Sequence, residues 1–192
     1  MGCDIHLYKE KKVDGVWVSA DENWVDQYGE GLDVPYQERF TDRNYELFGF
    51  LSKGVRGEFD FSFLERGIPI DACVEVSNVC DGWGCDGHSH SYLYIHELKD
   101  AVDILKKKFV KITGMKSADQ LSALRDSISS DRETDWNLLY PYCKWASNGM
   151  GYEPFEFDVP ASFILGEALE RIIAMFDGVD GENHRIVFWF DN

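Results

Sequence analysis

The sequence predicts an α+β fold. It reads as a single domain over residues 1–192, with a mostly antiparallel sheet that contains an N-terminal hairpin and the C-terminal strand, about four to five helices and two long aromatic-rich loops. Three observations predict it. Side chains alternate from the start of the chain, with Cys3, Ile5 and Leu7 on one face and Asp4, His6 and Tyr8 on the other. This run is joined through Asp14-Gly15 to Val16-Trp17-Val18-Ser19, and Asp-Gly between alternating runs is a strong hairpin signal. The far end alternates as well, with Ile186, Phe188 and Phe190 against Arg185, Val187, Trp189 and Asp191. If the apolar faces of both terminal strands meet one core, Asp191 shares a side with Asp4 and His6.

The elements follow in order. Residues 20–41 lack periodicity but hold Trp24, Tyr28, Tyr36 and Phe40, so this loop either packs over the body or serves as a lid. Asp42 predicts an N-cap for a helix over 43–53, stopped by Gly54. Phe59, Phe61 and Phe63 have strand spacing, and Asp71 predicts the cap of a short helix to about Val79. Residues 80–91 read as a glycine-rich polar loop, the kind of segment that carries chemistry. Tyr92–Ile95 resume an ordered run, His96–Lys108 form a helix with Leu98, Val102 and Leu105 inward, and Ser117 with Gln120 opens another helix to about Ser129 through a capping box. Residues 130–159 form the second aromatic-rich loop, with Trp136, Tyr140, Tyr142, Trp145, Tyr152 and Phe155. Pro160 suits the first turn of a helix whose apolar stripe is Leu165, Leu169, Ile172 and Phe176, and His184–Asp191 is the last strand.

Composition narrows the functions. The chain is 44% hydrophobic and 15% aromatic, enough for a sizeable core. A formal net charge of -16 argues against binding nucleic-acid backbones and against anionic membranes. It leaves three roles: solubility, mimicry of DNA, or an acidic shell around a local positive spot made by arginines or a cation. Five cysteines, an odd number, without a signal-peptide pattern point to a reducing cytoplasm rather than a disulfide framework, and no apolar run approaches a membrane span.

Two polar clusters carry the candidate chemistry. Asp4-x-His6 and His88-x-His90 each space their members i, i+2, which on a strand projects both to one side. Asp4, His6, His88 and Asp191 are the candidate ligands of a divalent metal, zinc or manganese, because oxygen and imidazole donors suit those ions. Without metal, Asp4, His6, His88 and His90 are the candidate acid–base groups. A structural Asp4–His6 hydrogen bond is the competing reading of the first pair. A structural zinc on Cys80, Cys85, His88 and His90 is the weaker reading of the second, since its spacing departs from common fingers. Arg43, Arg56 and Arg66 flank loops able to converge on a phosphate, and Tyr8 and Trp83 are candidate ligand-stacking rings.

Met1-Gly2-Cys3-Asp4-Ile5-His6 resembles the start of a family of small tailed-bacteriophage and prophage proteins that open on these six residues. Asp42-Arg43-Asn44-Tyr45, Val55-Arg56, Arg66-Gly67-Ile68-Pro69, His88-Ser89-His90-Ser91 and the ending Phe190-Asp191-Asn192 extend the resemblance along the whole chain. It implies an accessory protein of the bacterial host's cytoplasm and carries no reaction with it. In the family's pattern the second loop histidine is replaceable, which ranks His88 above His90. The expectation is a pocket for a small nucleotide or other phosphorylated ligand, with metal-assisted phosphodiester hydrolysis as its catalytic form and a host-defence signal as its target. Two alternatives stay open: a sponge that sequesters such a ligand, and an acidic DNA mimic or protein inhibitor acting by surface charge. A homo-oligomer is compatible with each.

Overall fold

The computed structural model describes residues 2–26, 29, 31–57, 59–130, 134–139 and 151–192. In chain order the elements are β1 (Asp4–Val13), β2 (Val16–Ser19), α1 (Tyr45–Leu51), α2 (Val74–Trp83), β3 (His88–Tyr94), α3 (Ile95–Leu105), β4 (Phe109–Ser117), α4 (Ala118–Ser129), β5 (Tyr152–Pro160), α5 (Ala161–Ala174) and β6 (His184–Asp191), with 3-10 turns at Tyr36–Glu38 and Trp136–Leu139. The fold is α+β. It has two compact units, residues 1–102 with 165–192, and residues 103–164.

The first unit is built on a four-stranded antiparallel sheet of order β2-β1-β6-β3. The hairpin forms as the Asp-Gly signal predicts. Asp14 and Gly15 have φ of 50° and 84°, the left-handed pair that a two-residue turn needs to match strand twist. β1 pairs with β6 from Asp4 to Lys11, Asp4 opposite Asp191 and His6 opposite Trp189, so the terminal strands lie side by side and Asp191 shares the side of Asp4 and His6, as alternation predicts.

Both faces of this sheet are covered, contrary to the one polar face expected. Cys3, Ile5, Leu7, Phe188 and Phe190 fill one side, where Phe48 of α1 stands 5.0 Å from Phe190. On the other side Tyr8, Val187 and Trp189 pack with Cys73 and Val76 of the α2 segment and with Val34. Tyr8 and Trp189 are large enough to anchor a second core, and α2 seals it. Two charged residues are trapped inside. Glu10 and Arg185 are 0% and 1% exposed and paired at 2.6 Å, with Cys73 N donating to Glu10 Oε1 at 2.6 Å and Arg185 also reaching Asp71 Oδ1 at 2.9 Å.

Several local readings change. The cap of α1 is Asn44, whose side chain accepts from Leu47 N at 2.9 Å, while Asp42 pairs with Arg171. Phe59–Phe63 is a turn, with Phe63 N bonded to Phe50 O at 2.9 Å. α2 is capped by Cys73 and runs to Trp83, and β3 begins at His88, so the glycine loop shrinks to residues 84–87. The described part of the loop over 20–41 packs on the sheet through Trp24 and Val34: Tyr8 Oη donates to Asp33 Oδ1 at 2.9 Å, and Val25 bridges Asp33. Tyr28 of that loop lies outside the described residues.

The second unit is an antiparallel β4–β5 ribbon with α4 and the Trp136–Leu139 turn, closed on Leu121, Leu124, Leu139, Phe155, Val159 and Ile164. β5 occupies part of the stretch read as loop. Pro154 and Pro160 are compatible with this strand because in a two-stranded ribbon each strand is an edge, where proline is tolerated. Pro160 therefore ends β5 rather than starting α5, and α5 kinks at Gly166, φ 56°. Tyr140, Tyr142 and Trp145 of the expected aromatic loop lie outside the described residues. No described helix is long and apolar enough to cross a membrane.

Candidate functional site

The start of β1, the end of β6 and the start of β3 meet at one end of the sheet. Asp4 N donates to Asp191 Oδ1 at 3.1 Å. The Asp4 carboxylate lies in the fork of Arg43, with Nε to Oδ1 at 2.7 Å and Nη2 to Oδ2 at 2.5 Å. This pair is about half exposed, and the carboxylate holds the guanidinium pKa above its ordinary value. Arg56 comes from the other flank of α1 and donates through Nη2 to Gly2 O at 2.8 Å and Asn192 Oδ1 at 2.9 Å. Its φ of 58° is unusual for a residue with a side chain, and its guanidinium rests over Tyr45 at 5.6 Å. A Cβ on Gly2 would stand 3.1 Å from Arg43 Nη1, so both arginines converge on Gly2. Burial pushes the neighbouring Cys3 thiol up, and Arg56 offsets part of that rise.

His6 lies deeper. Its ring is 4.0 Å from Trp83 and 5.8 Å from Trp189, and Nε2 is 3.4 Å from Asp191 Oδ2. That approach is too poorly aligned for a hydrogen bond, so His6 Nε2 and Trp189 Nε1 are buried polar atoms without a hydrogen-bond partner among the described residues. Burial lowers the His6 pKa, against a smaller upward pull from Asp191. His90 is the neighbour of Trp189 on the β3 side, ring centroids 6.0 Å apart, and burial followed by His88 lowers its pKa too. His6, Trp189 and His90 thus form a row across three strands. Gly87 keeps it tight: a Cβ there would meet His90 Nε2 at 3.2 Å and Trp189 Cδ1 at 3.4 Å.

His88 and His90 do not project together, which corrects the i, i+2 reading. Pairing slips by one residue between His88 and Ser91, and Ser89 takes φ 53°. This bulge turns His88 to Phe190, ring centroids 6.2 Å apart, and leaves His90 beside Trp189. His88 therefore lies on the Ile5 face rather than over Asp4 and His6. It joins the cluster through Asn192, whose Nδ2 is 3.1 Å from His88 Nε2. Among the described residues no group of three or more His, Cys, Asp or Glu side chains is placed to hold a metal ion. Asp4, His6, His88 and Asp191 do not make a shared ligand set, and neither do Cys80, Cys85, His88 and His90.

Other candidates lie elsewhere. Arg66 is held by Glu97 at 2.8 and 2.6 Å and sits over Tyr92. Tyr8 is 1% exposed and belongs to the core, while Trp83, half-buried over His6, stays at the site. Asn192 and Trp189 were not singled out from the sequence, although alternation alone put Trp189 on the His6 side. Compared with known protein families, with curated proteins and with solved structures, the chain matches none.

The two histidines make stability depend on pH. Their folded pKa values lie below the ordinary 6.5, so the stability gained by burying neutral rings is present above 6.5 and lost as pH falls through the folded values. Urea midpoints should drop between pH 7.5 and 5.0 (a range spanning roughly one unit on either side of the imidazole value), and drop less in His6→Phe/His90→Phe. An equal drop in both proteins would show that other groups carry it.

Proposed function

We propose that the first unit binds a small phosphorylated ligand of the nucleotide class at this end of the sheet. The supporting observation is the convergence of Arg43 and Arg56 on Gly2. They bring two guanidinium groups to one place in an acidic chain, and the Asp4 carboxylate already in the Arg43 fork has the planar geometry that a phosphate edge would match on displacing it. Trp83 offers a ring for a base. His6, neutral and backed by Asp191, is the group that would accept a proton if the ligand is cleaved as a phosphodiester. For a chain resembling phage proteins, a nucleotide signal of host defence in the bacterial cytoplasm is the natural ligand.

Sequestration without turnover is the second reading. It is favoured by the pairing of Asp4 with Arg43 and of His88 with Asn192, which leaves His6 and Asp191, facing each other at 3.4 Å, as a single acid–base pair where phosphodiester cleavage calls on a separate acid and base. Calorimetric titration with linear and cyclic nucleotides and inorganic phosphate, with mass spectrometry of the mixtures, separates these readings, and repeats with zinc or manganese test for an ion. Arg43→Ala should weaken phosphate-dependent binding by about tenfold or more, the loss of a bidentate contact. Unchanged affinity in that variant would remove the assigned anchor. If no nucleotide binds and a DNA-binding host protein does, the net charge of -16 is the functional feature instead.

A further inference from the structure

We propose that the edge of β2, unpaired among the described residues, and the first turn of α2 form a docking groove for an extended, basic peptide of a partner protein, which adds to the sheet as a fifth strand. The two edges of the sheet are treated differently. β3 is interrupted by its bulge, and residues 66–67 bond onto it, with Gly67 N donating to His90 O at 2.9 Å and Arg66 N to Ser91 Oγ at 3.2 Å. β2, the opposite edge, is short, four residues reading Val16-Trp17-Val18-Ser19, but carries no charge, proline or bulge to blunt it further against pairing.

Beside that edge runs a groove of about 550 Å³, walled by residues 15–18 of the hairpin and 71–75 at the start of α2. An edge strand facing a helix across a groove is the arrangement that receives peptides by strand addition. Register supplies the backbone contacts. Val13 and Val16 close the two-residue turn as a hydrogen-bonded pair, so at the next pair, Lys12 and Trp17, the Trp17 N–H and C=O point away from β1. The rim is apolar, with Val16 64% and Val74 65% exposed, and the Trp17 ring is backed by the Arg185 guanidinium at 3.9 Å.

Charge selects the occupant. The helix wall carries Asp71, whose carboxylate is more than half exposed, and Glu75, and α2 contains no basic residue. A peptide alternating apolar side chains with lysine or arginine satisfies both the rim and the wall. A second copy of this chain would bring the same acidic wall and another net charge of -16.

The test uses the full-length protein and a fluorescein-labelled octapeptide alternating lysine and valine, read by polarisation at about 150 mM salt, where surface charge is screened beyond ~8 Å. The expected result is saturable binding that weakens about tenfold or more when alternate peptide nitrogens are methylated, which keeps the charge but removes strand pairing. Glu75→Lys and Val16→Lys, both checked for folding by circular dichroism, should each weaken it, and the Trp17 amide should shift in NMR spectra. Equal affinity for the methylated peptide would reduce the effect to general charge attraction and overturn the proposal. So would equal affinity for a glutamate–valine octapeptide, no change in Glu75→Lys, or a dimer in sedimentation that Val16→Lys dissolves without any peptide binding.

Discussion

Glu10→Gln lowers the unfolding free energy by about 3–5 kcal/mol, the usual cost of removing one partner of a buried ion pair. The guanidinium of Arg185 is 1% exposed and holds Glu10 Oε2 at 2.6 Å. Glutamine keeps the shape and still accepts from Cys73 N, but it turns a neutralising carboxylate into a dipole. Arg185 then retains Asp71, whose carboxylate faces solvent and whose carbonyl it also reaches, and the rings of Trp17 and Tyr92, none of which restores a buried negative charge. Replacing both charges, Glu10→Met with Arg185→Met, should recover most of the loss, because neither charge then has to be taken from water. Urea unfolding followed by circular dichroism reads both variants. A loss below about 1 kcal/mol in Glu10→Gln would mean that water reaches the pair.

Trp189→Ala should cost about 3–5 kcal/mol, the range for truncating a large aromatic residue in a core. Trp189 is fully buried and touches Tyr8, His6 and His90, with ring centroids 5.2, 5.8 and 6.0 Å away. Trp189→Phe should cost far less, about 1.5 kcal/mol or below, since it keeps most of the packing and removes an indole N–H that has no described hydrogen-bond partner. If Phe costs as much as Ala, the N–H makes a bond that matters, and the row of rings is held by polarity rather than packing. Because His6 and His90 flank this ring, the Ala variant should also lose the pH dependence attributed to them.

How far the sequence could be read depended on whether a feature is local. The Asp14-Gly15 turn and the alternation at both chain ends depend on backbone sterics and period, and they put Asp191 on the side of Asp4 and His6, where the structure pairs it with Asp4. Helix ends were less legible because several residues compete for one cap. Asp42 and Asn44 both suit the start of α1, and Arg171 draws Asp42 away. β5 was missed because its stretch was read as an aromatic-rich loop, and its strand state is set by pairing with β4 rather than by its own residues.

The candidate site divides along the same line. Sequence alone determined its location: the first and last residues of the chain, polar among apolar neighbours, share one end of a sheet. It also marked Arg43 and Arg56 as candidate anion contacts. Only the tertiary structure decided which groups meet. A single bulged residue in β3 separated His88 from His90, which a regular strand would have kept together. Trp83 and Trp189 enclosed His6 and lowered its pKa, and Glu10 and Arg185, ordinary surface charges by type, became the buried pair beneath α2. The physical reason is that alternation specifies the side of a strand a residue takes. What covers that side, and how dry it becomes, depends on segments distant in sequence.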